Sequence, residues 1–431
     1  MKNDNEMNFY KNSTRDMVFR ISVFALFLPM FLGCSTSGND IQYTIQAQNG
    51  HIVQTGLENF IKHHASAYRG KLAVLVTNHS GTDFNLQHNI DLLRSKGILV
   101  AFVLVPEHGL YGFHNEYDRT PYHVDTDYDV VVYNLHHFNA RTLRSMLSIA
   151  DFVVYDIQDM GMRCYTYISS LKLVMDALNG TARELVVCDR PNPLGFLGVD
   201  GSFLERGFYS RHVSSFPAPF MYGMTIGEAA RYYRGEYAKN VKLKVIPLQR
   251  YRREMNYHET MLPWVPPSPN LPGYASSIVY SAVVYMEGIN VSIGRGTPNP
   301  FEYIGAPFVN PQKMARDLSE LGLETFRFRP VYFEPSLSHY KGRKCGGVQI
   351  FYTGGVFSPT ETAYKIIRYL KKEYPAIYWY RHGTRYGVDN LAGTDKFRKA
   401  IDAGKDFSEF KKELSGENEK YLSKRRKYLL Y

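Results

Sequence analysis

Residues 152–171 read FVVYDIQDMGMRCYTYISSL, and the fold follows from this stretch. The first four residues are apolar, β-branched or aromatic, the mark of a buried strand too short to be a helix. The run stops at Asp156, Gln158 and Asp159, Gly161 breaks the pattern, and helical spacing begins near Tyr167. Strand, acidic loop, helix is the order that sets polar groups at the carboxyl edge of a parallel sheet, where open α/β folds bind ligands. A single aspartate there would only cap the helix or bond loop amides. Asp156, Gln158 and Asp159 together with Arg163, Tyr165 and Tyr167 make a denser group, and the loop reads as a site.

The same alternation extends to both sides. Residues 71–77 (KLAVLVT), 98–105 (ILVAFVLV), 128–133 (YDVVVY) and 184–188 (ELVVC) are apolar runs that end in polar loops. Helical spacing separates them at 88–96, 141–149 and 167–177. Continuous apolar strands alternating with helices predict an α/β fold, a parallel sheet with helices on both faces and every polar loop on one edge. Residues 195–220 are rich in Gly, Pro and aromatics and read as a long ordered loop over that edge. Thr225-Ile226-Gly227-Glu228 is a capping box that opens a helix. Residues 242–246 read as a short strand, the Pro-rich 262–272 as loop, and 281–285 as a strand. Beyond residue 311 the pattern is α+β, with helices at 311–321 and 359–372 and strands near Phe326 and at 347–352. The expected division is an N-terminal α/β domain over 46–278 and a smaller α+β domain over 279–431.

A chain of 431 residues is long enough for two or three domains. At 44% hydrophobic and 21% charged it can bury a full core. Its beginning is not part of the fold. Lys11, Arg15 and Arg20 precede an apolar run over 21–32, followed by Gly33-Cys34. A basic region, a short apolar run and a small residue at the cut make a secretory signal over 1–33, shorter than the ~20 residues of a membrane-spanning helix. Phe31-Leu32-Gly33-Cys34 resembles a bacterial lipobox. That implies lipidation of Cys34, a tether over 34–45, and an exported protein anchored in the cell envelope. The net charge of +10 suits anionic partners, and export argues against nucleic acid. With Cys34 lipidated, Cys164, Cys188 and Cys345 cannot all pair, and no C-x-x-C is present.

No G-x-G-x-x-G opens a helix after a strand, so a dinucleotide is not expected. There is no Walker A and no H-E-x-x-H. His79, His108, His114, His136 and His137 lack a ligand spacing, so neither metal nor cofactor is expected. Glu107 stands out. It closes a long apolar strand and precedes His108-Gly109, and a carboxyl partly withdrawn from water there suits proton donation near neutral pH. Glu287 and Glu302 have the same character. Arg295, between Gly294 and Gly296, is placed to grip a carboxylate with two parallel bonds or to pair with Glu302.

An ordered set of motifs then runs over about residues 55–400. It begins Thr77-Asn78-His79-Ser80-Gly81, Pro106-Glu107-His108-Gly109, Tyr155-Asp156-Ile157-Gln158-Asp159 with Tyr165-Thr166-Tyr167, and Asp189-Arg190-Pro191-Asn192-Pro193. It continues with Gly223-Met224-Thr225-Ile226-Gly227-Glu228, Pro266-Pro267-Ser268-Pro269-Asn270 and Glu287-Gly288-Ile289-Asn290-Val291-Ser292. Gly294-Arg295-Gly296-Thr297 with Pro300-Phe301-Glu302, Lys344-Cys345-Gly346-Gly347-Val348-Gln349 and Leu391-Ala392-Gly393-Thr394-Asp395 complete it. Together they resemble the NamZ family of exo-β-N-acetylmuramidases. The resemblance implies removal of N-acetylmuramic acid from the non-reducing end of peptidoglycan fragments. It also implies a Rossmann-like domain, a smaller C-terminal domain and a site in the cleft between them. The chain departs from the family at Ile293, where an acidic residue is usual, at Asp127-Tyr128-Asp129, and in the loop Asn134-Leu135-His136-His137.

On this reading Glu107 is the general acid, and Glu287, Glu302 and Asp156 compete for the second role. The sugar's 2-acetamido carbonyl is an alternative nucleophile. Asn78, His108, Gln158, Asp159, Arg163, Tyr165, Arg190, Asn192, Ser268, Asn270, Asn290 and Arg295 are the candidate substrate contacts. Arg295, or else Arg190, would hold the lactyl carboxylate. Two other classes compete: a metal-dependent amidase or esterase acting on the wall, and a non-catalytic glycan-binding lipoprotein. Carboxylates buried at strand ends without a task argue against the second.

Overall fold

Burial on both faces makes strands of the central apolar runs, and half-exposed runs add strands at the edges. In chain order they are β1 (Leu72–Thr77), β2 (Leu99–Val105), β3 (Tyr122–Asp125), β4 (Val130–Asn134), β5 (Phe152–Asp156), β6 (Glu184–Cys188), β7 (Val199–Phe203), β8 (Pro219–Tyr222) and β9 (Lys242–Ile246). Seven form one sheet in the order β3-β4-β2-β1-β5-β6-β9. Every neighbouring pair is parallel except β3 with β4 at the edge. The structure, a computed structural model, describes residues 52–113 and 120–431. The expected signal, Cys34 with its tether, and His114 lie outside the described residues.

Ala73 and Leu75 of β1 face one side of the sheet, packed against Leu57 and Phe60 of α1 (Gly56–His63) and Ile90 and Leu93 of α2 (Asn89–Ser95). Val74 and Val76 face the other. There they join Leu143 and Leu147 of α3 (Ala140–Leu147), Ile168 and Leu171 of α4 (Tyr167–Leu178), and Ala229 of α5 (Ile226–Glu236). Each fully buried Val, Leu or Ile contributes about 1.5–3 kcal/mol. The capping box at the start of α5 forms, with the Thr225 side chain accepting from the Glu228 N–H.

From β1 the chain builds β2 and β4 on one side, then returns to lay β5 on the other. This reversal opens a crevice between the carboxyl ends of β1 and β5, the place where such sheets receive ligands.

The second half holds α6 (Tyr274–Val283), α7 (Pro311–Ser319), α8 (Pro359–Glu373), α9 (Gly387–Ala392), α10 (Lys396–Asp402) and α11 (Phe407–Arg425). Its sheet has the order β10-β12-β11, all antiparallel, from β10 (Tyr303–Ala306), β11 (Phe326–Phe333) and β12 (Cys345–Tyr352). One apolar cluster runs from Val74 through Tyr285 and Phe397 to Tyr421, so the halves share a core. The chain then returns to the first sheet. The Tyr431 hydroxyl donates to Asp189 Oδ2 at 2.9 Å, and the Leu430 N–H donates to Glu228 Oε1 at 2.6 Å. Both carboxylates are fully buried.

Two expectations change. Residues 281–285 are not a strand. They finish α6 and continue into a 3₁₀ turn over Val284–Gly288. Nearly every residue of α6 is buried, so the helix has no polar stripe to reveal its period. The division expected at 278/279 falls within α6. Residues 195–220 are not all loop, because β7 and β8 pair antiparallel there. The short edge strand β3 lay outside the strands read from the sequence. Among the described residues no helix is long and apolar enough to cross a membrane.

Candidate active site

The loops at the carboxyl edge are tied to one another by their own polar side chains. Asn78, fully buried after β1, accepts from the Ser80 N–H at 3.0 Å and hydroxyl at 2.6 Å, and donates to the Tyr167 hydroxyl at 3.1 Å. Ser80 accepts from the Gln158 N–H at 3.0 Å, linking the β1 and β5 loops. Gln158 Nε2 donates to the carbonyls of Asp159 and Pro191, each at 2.8 Å, which links β5 to β6. Asn192 donates to the Met224 carbonyl at 2.9 Å and accepts from the Leu194 N–H at 2.9 Å. Gly161, at φ 77°, presses against Asn192 so closely that a Cβ would fall 2.2 Å from its side chain. Asn78, Gln158 and Asn192 are thus framework residues of the edge.

Asp156 is closed into an ion pair. It is fully buried, and Arg190 grips it through Nε at 2.6 Å and Nη2 at 2.9 Å, while Asn89 donates at 2.8 Å. Arg190 also donates to the Thr82 carbonyl at 3.0 Å. Two expectations are affected: Asp156 faces Arg190 and Asn89, and the Arg190 side chain is held by Asp156 rather than by Asp189. Asp159 accepts through Oδ2 from the Gly161 N–H at 2.7 Å and from the Tyr222 hydroxyl, while its buried Oδ1 has no partner among the described residues. Burial nevertheless pushes its pKa up to about 7. Arg163 is also structural. Fully buried, it donates to the carbonyls of Ser202 at 2.9 Å, Ala218 at 2.8 Å and Leu391 at 3.0 Å. Gly393 leaves room for it, since a Cβ there would lie 2.4 Å from the guanidinium.

Glu107 is different. It follows β2, is half-buried, and its Oε2 accepts from the Thr166 hydroxyl at 2.7 Å. The next two residues, His108 and Gly109, both have φ 75°. A left-handed His is strained, and such strain gathers at functional sites. The Tyr167 hydroxyl donates to the Pro267 carbonyl, and His79 Nε2 donates to that of Pro266 at 2.5 Å. These bonds draw the Pro-rich loop that carries Ser268 and Asn270 onto the edge. Burial pushes the His79 pKa down.

The second half contributes Glu287 and Arg295. Arg295 Nη2 lies 2.6 Å from Glu287 Oε1, and the guanidinium sits over the Phe301 ring at 5.1 Å. Gly294 and Gly296, at φ 74° and 75°, permit the turn on either side of it. Arg295 pairs with Glu287, not with Glu302. Glu302 is engaged by Ser276 at 2.8 Å and by Asn299 and Gln349 at 3.1 Å each, which makes it a structural acceptor rather than a catalytic group. Asn290 holds the Ala376 carbonyl at 2.9 Å and the Tyr378 N–H at 2.7 Å.

A chain of rings joins the two halves. Tyr167 meets Tyr165 at 4.8 Å, Tyr165 meets Tyr280 at 6.4 Å, and Tyr280 meets Phe301 at 4.4 Å. Burial pushes the Tyr280 hydroxyl up, and the charges of Glu287, Arg295 and Glu107 all act on it. The charges of Glu107 and Glu287 thus both reach one buried ring, and of the four carboxylates expected in catalysis they are the two not closed into the framework. Thr166 and Tyr280 were not singled out. Thr166 lay unnoticed inside its Tyr-Thr-Tyr motif, and Tyr280 inside an apolar run. Among the described residues no group of three or more His, Cys, Asp or Glu is arranged to hold a metal.

Residues 73–275 and 278–431 match the N-terminal and C-terminal models of exo-β-N-acetylmuramidase NamZ. The chain belongs to the NamZ family. The peptidoglycan β-N-acetylmuramidase NamZ of Bacillus subtilis (strain 168) is 33% identical over 381 residues, 88% of this chain and 91% of that protein. Two crystal structures of DUF1343 family proteins from Bacteroides fragilis NCTC 9343 are similar to this NamZ-family fold. One has a TM-score of 0.79 at 28% identity and the other 0.67 at 29%, each covering 88% of this chain and 99% of the other. The two NamZ models meet at α6.

Proposed function

We propose that the chain is an exo-β-N-acetylmuramidase, a glycoside hydrolase that releases N-acetylmuramic acid from the non-reducing end of peptidoglycan fragments in cell-wall turnover. The observation that carries this reading is the family match through both halves, residues 73–275 and 278–431.

Glu107 is the general acid. It protonates the glycosidic oxygen as the C1–O bond breaks and positive charge develops on the sugar ring. Thr166 fixes one carboxyl oxygen and leaves the other for the substrate. Glu287, steadied by Arg295, takes the second role. It acts on the ring carbon or its water directly, or it orients the sugar's own acetamido group as the nucleophile. The lipobox-like end at Cys34 supports anchoring of the exported chain in the cell envelope.

The test is release of N-acetylmuramic acid from a MurNAc-GlcNAc disaccharide by the purified chain, before and after exhaustive chelation. Activity that survives chelation would remove a metal-dependent amidase or esterase. Binding without turnover would favour a glycan-binding lipoprotein.

A further inference from the structure

Beside Glu107 lies a cavity of about 80 Å³ that the catalytic assignments leave without a task. Thr166, Ser169 and Ser170 at the start of α4 line one side of it. His136, after β4, and Arg211, His212 and Ser215, between β7 and β8, line the rest of its polar wall. Thr166 belongs to both places, since it also donates to Glu107. The cavity therefore begins one hydrogen bond away from the proton donor.

Its unengaged groups are mainly donors. Ser215 is 3% exposed, and its hydroxyl has no partner among the described residues. Arg211 stands at the exposed rim. Among the described residues it gives one N–H to the Phe138 carbonyl, which leaves other guanidinium N–H groups available. His136 and His212 stack at 4.4 Å with their planes 10° apart. Burial pushes both imidazoles down to about 4, and the nearby Arg211 adds to it. They are neutral at pH 7 and so can lie face to face. The one acid in the lining, Asp176, is already closed by Lys172 at 2.6 Å and the Tyr233 hydroxyl at 2.6 Å. Unengaged donors beside a fixed guanidinium suit an anion, and a planar one above all. A space of about 80 Å³ holds several waters, at about 10–15 Å³ of such volume each, and so has room for a carboxylate.

We propose that this cavity is a subsite for a carboxylate carried by the muramoyl substrate, held by Arg211 and Ser215 against the His136–His212 stack. The inference rests on the exo-β-N-acetylmuramidase reading. The carboxylate has two possible sources, the lactyl ether of the sugar itself or the free carboxylates of a stem peptide joined to it.

The test gives the full chain, Arg211→Gln and Ser215→Ala three substrates. These are a chromogenic muramoyl glycoside with its lactyl carboxylate free, the same glycoside with that group as a primary amide, and a muramoyl glycoside bearing a stem peptide. If the lactyl group is the source, wild type prefers the free acid to the amide. Each variant then lowers that ratio of kcat/KM, Arg211→Gln by about tenfold or more, the order of a charge-assisted hydrogen bond. The change should appear in KM rather than kcat. If the stem peptide is the source, free acid and amide behave alike, and the preference for the peptide-bearing substrate over the amide falls instead. Thermal melts identify a misfolded variant, and Ser215→Ala, the smaller change, then carries the comparison. Equal losses on all three substrates, or none, overturn the subsite while leaving the enzyme reading in place. A wild-type chain that cleaves no muramoyl substrate overturns both.

Discussion

The Thr166 hydroxyl, at the N-cap of α4, donates to Glu107 and makes no side-chain bond to its own helix. An N-cap threonine ordinarily satisfies a first-turn N–H. Here the Thr166 hydroxyl instead fixes a carboxylate across the sheet edge. Glu107→Gln should fold normally and lose roughly 10²–10⁴ in kcat on a natural disaccharide, the span of general acid catalysis. A substrate with a good leaving group needs less protonation and should lose less. Near wild-type rates on the disaccharide would place the acid elsewhere.

Arg295 lies 2.6 Å from Glu287, so its first task is to orient that carboxylate rather than to read the lactyl group. Arg295→Lys keeps the charge but not the planar fork. It should lower kcat/KM by about tenfold, the order of one charged hydrogen bond, on muramoyl and glucosaminyl glycosides alike. A loss confined to the muramoyl substrate would return Arg295 to a specificity role.

The buried Asp156–Arg190 pair should act on stability before activity. Asp156→Ala leaves a buried guanidinium without its partner and should cost about 3–5 kcal/mol. The midpoint of urea unfolding would report it. Pairing it with Arg190→Met should recover part of the loss, and a double variant no better than the single would assign the cost to something other than the unpaired charge.

Asp159 gives the stability a pH dependence of definite sign. Its carboxyl titrates near 3.8 when unfolded and at about 7 when folded. Between those values the folded chain holds a proton that the unfolded chain has released. Its contribution is therefore fully present below about pH 4 and is lost as pH rises to about 7. Asp159→Asn should flatten its share of that slope in unfolding midpoints taken between pH 5 and 7.5. An unchanged slope would point to Asp189, which burial and the neighbouring Glu228 charge also push up to about 7.

Cys34→Ser should leave the protein soluble or uncleaved if the thiol carries lipid. Unchanged membrane fractionation, together with a mature N-terminus away from residue 34, would refute the anchor.

The central parallel strands β1, β5 and β6 were legible because they are buried on both faces and so appear as apolar runs between polar loops. The same burial hid α6, where apolar residues all around the axis resemble a strand. Glu107 was legible because an acidic residue ends a long apolar run beside a glycine. Asp156, Asp159 and Arg163 looked equally functional, since a strand-end polar group reads alike whether it faces a ligand or ties loops together. What separates them is partners far along the chain. Arg163 reaches the Leu391 carbonyl, and no local pattern announces that contact. The His136–His212 stack is equally silent, because its members lie in two loops of different lengths.

Residues 430 and 431 complete a corner of the first sheet. There the Tyr431 hydroxyl meets Asp189 at the end of β6, and the Leu430 N–H meets Glu228 at the start of α5. A chain made from its N-terminus closes this corner long after β6 and α5 have been made. Until residues 430 and 431 emerge, two carboxylates wait in the interior without these donors. The two halves thus share a corner as well as a core. Separately expressed halves, cut between residues 275 and 278, would each lack part of the same corner and would have to find each other to restore it.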